Sequence, residues 1–383
     1  MFIELEKFTK IISNSFAGGP FGSNLKTCDY TTKGVPIIQL SNITEDYLNF
    51  SSRLIFTSEE KASELKANNA FPGDLIIAKM MPAGRACLAT NQYSRYVLGS
   101  NAIRVALDIS KCNPIFIREQ INSPTIRKII SSKTAGSTRQ RIGIPELKKI
   151  KLLVPSLEEQ NKIGIFLKKL DDRIHTQNKI IEDLELFKNW IIHDFFNVSE
   201  CKCQLKNLIF QTSERNKSLQ INTVLSVSNK CGFIKQSEQF EDREIASENK
   251  SNYKIVYKND FAYNPARINV GSIAKLENFE RGIVSPMYIC FRCDEKKMLP
   301  SYLKYYFLSS KFKIALIKKL EGSVRQCLQF DSLCNIEIYL PNIKEQSELV
   351  AKLDVLQLKL QKEKDILNLY KKQKAYLLQN MFI

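Results

Sequence analysis

Two stretches of the chain say nearly the same thing: AGSTRQRIGIPELKKIKLLVPSLEEQ, from Ala135 to Gln160, and EGSVRQCLQFDSLCNIEIYLPNIKEQ, from Glu321 to Gln346. Gly136 pairs with Gly322. The same offset pairs Ser137 with Ser323, Arg139 with Arg325, Gln140 with Gln326, Leu147 with Leu333, Pro155 with Pro341, and Glu159-Gln160 with Glu345-Gln346. It reaches back to Pro114 and Pro300 and forward to Phe196 and Phe382. A constant offset over that span marks a tandem duplication, so the function should come in two similar parts.

Each repeat reads as a β-rich globular stretch followed by helix. In the first copy GVPIIQL, GDLIIAK and AIRVALD are apolar or alternating runs bounded by turn residues; NTVLSVS, YKIVY and MYICFRC play that part in the second. One amphipathic helix is expected near Ile115–Ser131 and its counterpart near Ser301–Lys319. A short strand and a proline then lead into a long helix. Ser156 with Glu159, and Asn342 with Glu345, fit helix-capping arrangements. Pro155 and Pro341 block extension backwards. Beyond the caps neither helix meets Gly or Pro, except Gly164.

Those helices carry a heptad seam: Ile163, Leu167, Leu170, Ile174, Gln177, Ile181, Leu184 in the first and Leu349, Leu353, Leu356, Leu360, Glu363, Leu367, Tyr370 in the second. Steps of four and three residues make a coiled-coil seam, and each seam's duplicate is the obvious surface to cover it. Forty residues give a rod of roughly 60 Å. The domain boundaries expected are 1–155 and 198–340 for the globular parts, and 156–197 and 341–383 for the helices. The fold class is α+β.

At 383 residues the chain holds two or three domains. Its formal net charge of +17 favours a polyanionic partner, because basic side chains displace counterions condensed on phosphates. No apolar run of about 18 residues, leader-like segment or lipidation motif competes for a membrane, so the expectation is a soluble cytoplasmic protein that binds nucleic acid. The ten cysteines do not make a metal site. The pairs Cys201/Cys203 and Cys290/Cys293 are far apart, and His175 and His193 both fall in a helix. Cys290 and Cys293 sit in a strand pattern that points them to opposite faces. Reduced, mostly buried thiols are expected, and no metal or cofactor.

Enzymatic readings find little support. YNPAR, Tyr263 to Arg267, lacks the second proline and the aromatic of an amino-methyltransferase motif. No P-loop is present, so ATP-driven translocation is not encoded here. Two helical histidines make Ser/His or Cys/His catalysis a poor fit. A coiled-coil scaffold that binds only protein is the remaining alternative, and the charge argues against it.

The twin GSxRQ loops, the strings IPELKKIKLLVPSLEEQ and FDSLCNIEIYLPNIKEQ feeding long helices, and the segments GGPFGSNLK (Gly18 to Lys26), DFAYNPARINVGSIA and GIVSPMY together resemble the specificity (S, HsdS) subunits of type I restriction–modification systems. The resemblance covers essentially the whole chain. It implies two target-recognition domains, each reading half of an asymmetric bipartite site in double-stranded DNA. It implies two long helices packed antiparallel, setting the spacer and docking methyltransferase (modification) subunits, with restriction/translocase subunits reached through the complex. A specificity subunit of a related type II-like modification system is the nearest alternative. The subunit itself would not be catalytic.

Loops of Gly, Ser, Thr, Asn and basic residues suit DNA contact, since Gly admits phosphates to the backbone and Arg or Gln side chains pair with guanine or adenine edges. The candidates are Phe21, Ser23, Lys26, Lys79, Arg85, Ser137, Thr138, Arg139, Gln140 and Arg141 in the first repeat. In the second they are Arg215, Asn264, Arg267, Asn269, Ser323, Arg325 and Gln326. A contact made in both halves is poorly placed to distinguish two half-sites, so the GSxRQ loops are assigned to backbone positioning. Gln177 and Glu363 are matched polar breaks in otherwise apolar seams, and a polar layer of this kind fixes register. Register sets the separation of the recognition domains. Replacing both by Leu is expected to keep or raise thermal stability and relax the preferred spacer between half-sites. An unchanged spacer preference in binding-site selection would contradict this assignment.

Overall fold

The computed structural model describes residues 1–50, 54–80, 82–134, 140–197, 202–229, 231–239, 249–320 and 327–382. The chain forms two compact units, Met1–Lys179 with Asp365–Ile383, and Ile180–Lys364. The division cuts each long helix in two, at nearly the same point of the repeat. Each unit thus holds one globular part and a piece of both helices.

In the first unit a four-stranded antiparallel sheet runs in the order Phe16–Gly18, Ala102–Val105, Leu75–Ala78, Ala86–Leu88. A five-stranded sheet, Tyr30–Thr31, Ile55–Thr57, Val35–Ile38, Tyr96–Leu98, Asn69–Ala70, packs beside it and includes one parallel pair. The second unit has the same four-stranded sheet: Ile209–Thr212, Ile289–Cys293, Phe261–Tyr263, Ile273–Lys275. Its central ladder keeps the register of the first, with Ile103 opposite Ile77 and Ile289 opposite Tyr263. The five-stranded sheet is replaced by two antiparallel pairs, Leu225–Ser228 with Gly232–Lys235 and Lys254–Tyr257 with Arg281–Val284.

The turn entering the central strand is duplicated atom for atom. Asp74 is buried and its carboxylate accepts the Phe71 amide at 2.9 Å; Asp260 is buried and accepts the Tyr257 amide at 2.9 Å. Both carboxylates also face an arginine, Arg104 for Asp74 and Arg292 for Asp260. The residue before each has positive φ, +87° at Gly73 and +71° at Asn259. Gly and Asn are the residues that tolerate that conformation.

The expected amphipathic helix is two helices in each repeat, not one. Pro114–Asn122 and Pro124–Ser132 meet at Ser123, and Pro300–Leu308 and Ser310–Lys319 meet at Ser309. Ser123 and Ser309 are extended and their hydroxyls accept the amides of Ile126 and Phe312, at 3.4 and 3.1 Å. A capping serine restarts the helix, and in the first copy Pro124 removes a donor as well.

The long helices span Leu157–Phe196 and Ile343–Asn380. Ser156 accepts the Glu159 amide at 3.3 Å; Asn342 accepts the Glu345 amide at 3.0 Å, and Glu345 reaches back to the Asn342 amide at 3.3 Å. No residue of either seam is exposed; Gln177 is buried and Glu363 half-buried. The helix segments run antiparallel in each unit. In the first, Ile163 and Leu167 share a core with Leu378, Met381 and Phe382, while Asp171 lies against Lys374 at 2.6 Å. In the second, Ile192 and Phe196 share a core with Leu349 and Leu353, and Glu185 pairs with Lys364 at 2.6 Å. The first long helix ends in Phe196 and the second is followed by Phe382, each sunk into a globular core: Phe382 against Phe116 (ring centroids 5.5 Å) and Phe196 against Tyr302 (5.2 Å). Gly164, the one break in the helical pattern, is where Asn113 crosses: a Cβ there would lie 2.6 Å from Asn113 Oδ1.

Cys290 and Cys293 enter different cores, as alternation requires. The described cysteines are free thiols, but the expectation that most are buried needs correction. Cys87, Cys112, Cys290 and Cys293 are buried, Cys203, Cys327 and Cys334 half-buried, and Cys28 and Cys231 exposed. Burial pushes the Cys87 and Cys290 thiols up to about 12, which keeps them protonated.

The repeated Glu-Gln has a structural role. Gln160, 2% exposed, accepts the Asn113 amide at 3.0 Å and donates to the Pro155 carbonyl at 3.1 Å. Gln346, 0% exposed, accepts the Leu299 amide at 2.9 Å and donates to the carbonyls of Lys297 and Pro341 at 3.0 and 2.9 Å. Gln346→Ala leaves those buried groups unpaired and is expected to lower unfolding stability by about 3 kcal/mol, and Gln160→Ala by somewhat less. Urea midpoints equal to that of the parent protein would overturn this role.

Candidate nucleic-acid interface

The candidate interface lies on the loops that leave the duplicated sheet. In the first unit the backbone of Lys79, directly after the strand Leu75–Ala78, ties two other segments together. Its amide donates to Asn101 at 2.8 Å, and its carbonyl accepts the Ile142 amide at 3.0 Å. In the second unit the Leu328 amide donates to the Pro265 carbonyl at 3.1 Å, which is the same bond one repeat later. The segment that follows each GSxRQ loop is therefore moored to the same strand end in both units.

Around this mooring the first unit gathers many of the residues expected from sequence. Gly19 packs so closely on Gly99 that a Cβ would fall 1.8 Å from its carbonyl oxygen, so only glycine brings the loop Gly18–Lys26 to this place. Beside it is a cavity of about 710 Å³ lined by Pro20, Gly22, Leu25, Tyr30, Ile37, Gln39, Leu40, Ser41, Arg85 and Gly99–Asn101. Phe21 is 84% exposed between two lining residues, and Ser23, Lys26, Gln140 and Arg141 are exposed. Lys79 is half-buried. Arg85 is held by a 3.0 Å bond to the Leu40 carbonyl, and its buried Nε has no protein acceptor among the described residues. Arg127 likewise has a buried Nη1 without one; burial, reinforced by repulsion from Arg85, holds its guanidinium below the ordinary range. Guanidinium groups short of acceptors suit phosphates or base edges.

In the second unit Asn264, Arg267 and Asn269 share the loop after Phe261–Tyr263, closed by the 3.1 Å Asn264–Ser272 bond and by Gly271 at positive φ. Arg267 and Asn269 are exposed. Arg215 stands apart on another connection, bridged to Lys254 and bonded to the Asn252 carbonyl at 3.1 Å. Ser137, Thr138, Arg139, Ser323, Arg325 and Gln326 lie outside the described residues. Sequence reasoning missed Gln39, Ser41 and Asn101. They stand in unremarkable strings, and only the fold brings them to the cavity.

Among the described residues one acidic group could hold a cation, Asp46, Glu119 and Asp171. An ammonium already fills it. Lys374 lies 2.5 Å from Asp46, 2.6 Å from Asp171 and 3.4 Å from Glu119, with Arg118 paired to Glu119 and Asp171. Burial opposes the charge on Lys374, but the three carboxylates outweigh it and hold this lysine above the ordinary range. His193 shares a 2.7 Å bond with Ser310 on an exposed face of the second unit.

Residues 20–186 match the family model described as the type I restriction modification DNA specificity domain. The chain is 30% identical over 190 residues to the type I restriction enzyme MjaIX specificity subunit of Methanocaldococcus jannaschii, covering 46% of this chain and 41% of that one. It is 22% identical over 370 residues to the putative MjaX specificity subunit of the same organism, covering 88% and 85%. Over these stretches the chain is similar to the type I restriction–modification specificity subunits. The match to the first of these relatives spans about two fifths of its length. The fold is shared with the crystal structure of the S subunit from M. genitalium, at a TM-score of 0.61 and 15% identity over 100% of this chain and 96% of that one. A second solved chain, from work on assembly and conformational transition of a type I system, gives 0.54 at 14% identity, covering 99% and 96%. No described helix of the chain is long and apolar enough to cross a membrane.

The Lys374 cluster has a matched position with different chemistry. Lys188 is its duplicate, but it bonds Gln357 at 3.0 Å where Lys374 has Asp171, and burial holds it below the ordinary lysine range. Lys374→Met strands buried carboxylates and is expected to cost about 3–5 kcal/mol, whereas Lys188→Met leaves a neutral amide and should cost far less. Because the Lys374 pKa is raised on folding, its contribution is complete below the ordinary lysine range and lost as pH rises through the folded value. Denaturation of the two variants checks this, and equal losses would contradict it.

Proposed function

We propose that the chain is the sequence-specific DNA-binding subunit of a type I restriction–modification complex. Each globular part reads one half of an asymmetric bipartite site in double-stranded DNA. The helices set the spacer and dock modification subunits, through which restriction/translocase subunits join. The chain performs no chemistry of its own and works in the cytoplasm.

The observation that carries this reading is the pairing of a repeated scaffold with unlike loops, in a chain similar to type I specificity subunits. The Lys79–Ile142 and Pro265–Leu328 bonds hold corresponding loops at corresponding strand ends. The net charge of +17 suits a polyphosphate partner. Lys79, Arg85 and Arg141 in the first unit, and Arg267 in the second, supply donors at those loops.

The full chain alone is expected to transfer no methyl group from S-adenosylmethionine to DNA, and to support transfer once modification subunits are added. Its affinity for duplex DNA should fall with salt, with a log–log slope of about −0.9 per phosphate contact. Methylation by the chain alone, or affinity indifferent to salt, would count against the proposal.

A further inference from the structure

The duplicated sheet carries a mismatch at one of its turns. The turn before the strand Ala102–Val105 is closed by a bond from the Ala102 amide to the Gly99 carbonyl, at 3.0 Å, and the turn before Ile289–Cys293 by a bond from the Tyr288 amide to the Ser285 carbonyl, at 3.1 Å. The strands that follow have identical register in the two units. Residue 101 of the first turn therefore occupies the place of residue 287 in the second. Asn101 stands at one and Met287 at the other.

Resting on the DNA-recognition reading above, we infer that Asn101 and Met287 are equivalent specificity-determining positions, each discriminating one base pair of its own half-site. Both belong to the loop cluster that carries the other candidates. Asn101 lines the cavity beside Arg85. Its backbone carbonyl is fixed by the Lys79 amide, while its side-chain amide has no partner among the described residues. A carboxamide on a rigid turn offers the donor and acceptor that match adenine N6 and N7 in the major groove. Met287 is 62% exposed, and the Asn264 amide lies 3.8 Å from its sulfur. An exposed apolar side chain held beside a polar loop suits the thymine methyl group, the one apolar mark a base pair shows in that groove. Asn101 is half-buried at the cavity and Met287 is exposed, and neither carries the positive charge that dominates phosphate binding.

The test is binding-site selection from a random duplex library with the full chain, the Asn101→Met variant and the Met287→Asn variant, with Asn101→Ser as a milder control. The expected result is a bipartite motif for the parent, with about tenfold or more discrimination lost or redirected at one base pair of one half-site by Asn101→Met. Met287→Asn should act on one base pair of the other half-site. Both variants should leave the opposite half-site unchanged. A parent that selects no motif would overturn the DNA-recognition reading and this inference together. A parent motif that survives the variants intact, weakens evenly in both halves, or loses overall affinity without a change of sequence would overturn the inference and leave the broader reading standing.

Discussion

The layout hangs on one buried carboxamide, used twice. Gln160 and Gln346 lie one turn inside the long helices, where a side chain normally faces solvent or a seam. Each instead joins the backbone before the long helix to the backbone before the helix pair, through bonds of 2.9 to 3.1 Å. An amide is suited to this because it donates and accepts at once, and so can satisfy an N–H and carbonyls that helix starts leave orphaned. A carboxylate there would lack the donor, and a leucine would leave the backbone groups unpaired. The consequence is directional. With the helix start pinned to the globular core, the seam faces the other long helix, and Phe196 and Phe382 end up inside a core rather than at a frayed terminus.

The same logic explains why so much of the duplication is structural. Asp74 and Asp260, the positive-φ Gly73 and Asn259, the serines at the helix breaks and the strand-end bonds all satisfy backbone groups at matched places. Such positions tolerate few alternatives, because an unpaired buried donor or acceptor costs about 1–3 kcal/mol. The exposed loops they hold are free of that demand. Divergence is therefore concentrated where a side chain faces outward from a fixed turn.

This division also sets what could be read without coordinates. The duplication, the caps, the seams and most core strands were legible because their signals are local: a repeated string, a Ser or Asn three residues before Glu, apolar spacing. The break in the amphipathic helices was marked by Ser123-Pro124, but periodicity runs through it and hid it. The Lys374 cluster was invisible, since Asp46, Glu119, Asp171 and Lys374 are scattered over most of the chain and no short pattern links them. The cavity had the same problem. Arg85 and the Gly18–Lys26 loop stood out by composition, whereas Gln39, Ser41 and Asn101 gained meaning only when two sheets brought them together.

Lys374 and Lys188 show how far two copies of one scaffold can drift without losing it. Both lysines come from the helix that pairs back onto the unit, and both meet residue 171 or its duplicate, yet one faces three carboxylates and the other a glutamine. The first arrangement is rigid because a buried cation among anions is stable only in one geometry. The second asks little of its neighbours. A duplicated protein can therefore fasten one end of a helix pair firmly and leave the other tolerant, using the same lysine. Shared position supplies the contact, and the partner decides its strength. The same reasoning separates scaffold from reader at Asn101 and Met287, where position is held by the backbone and chemistry is left to the side chain.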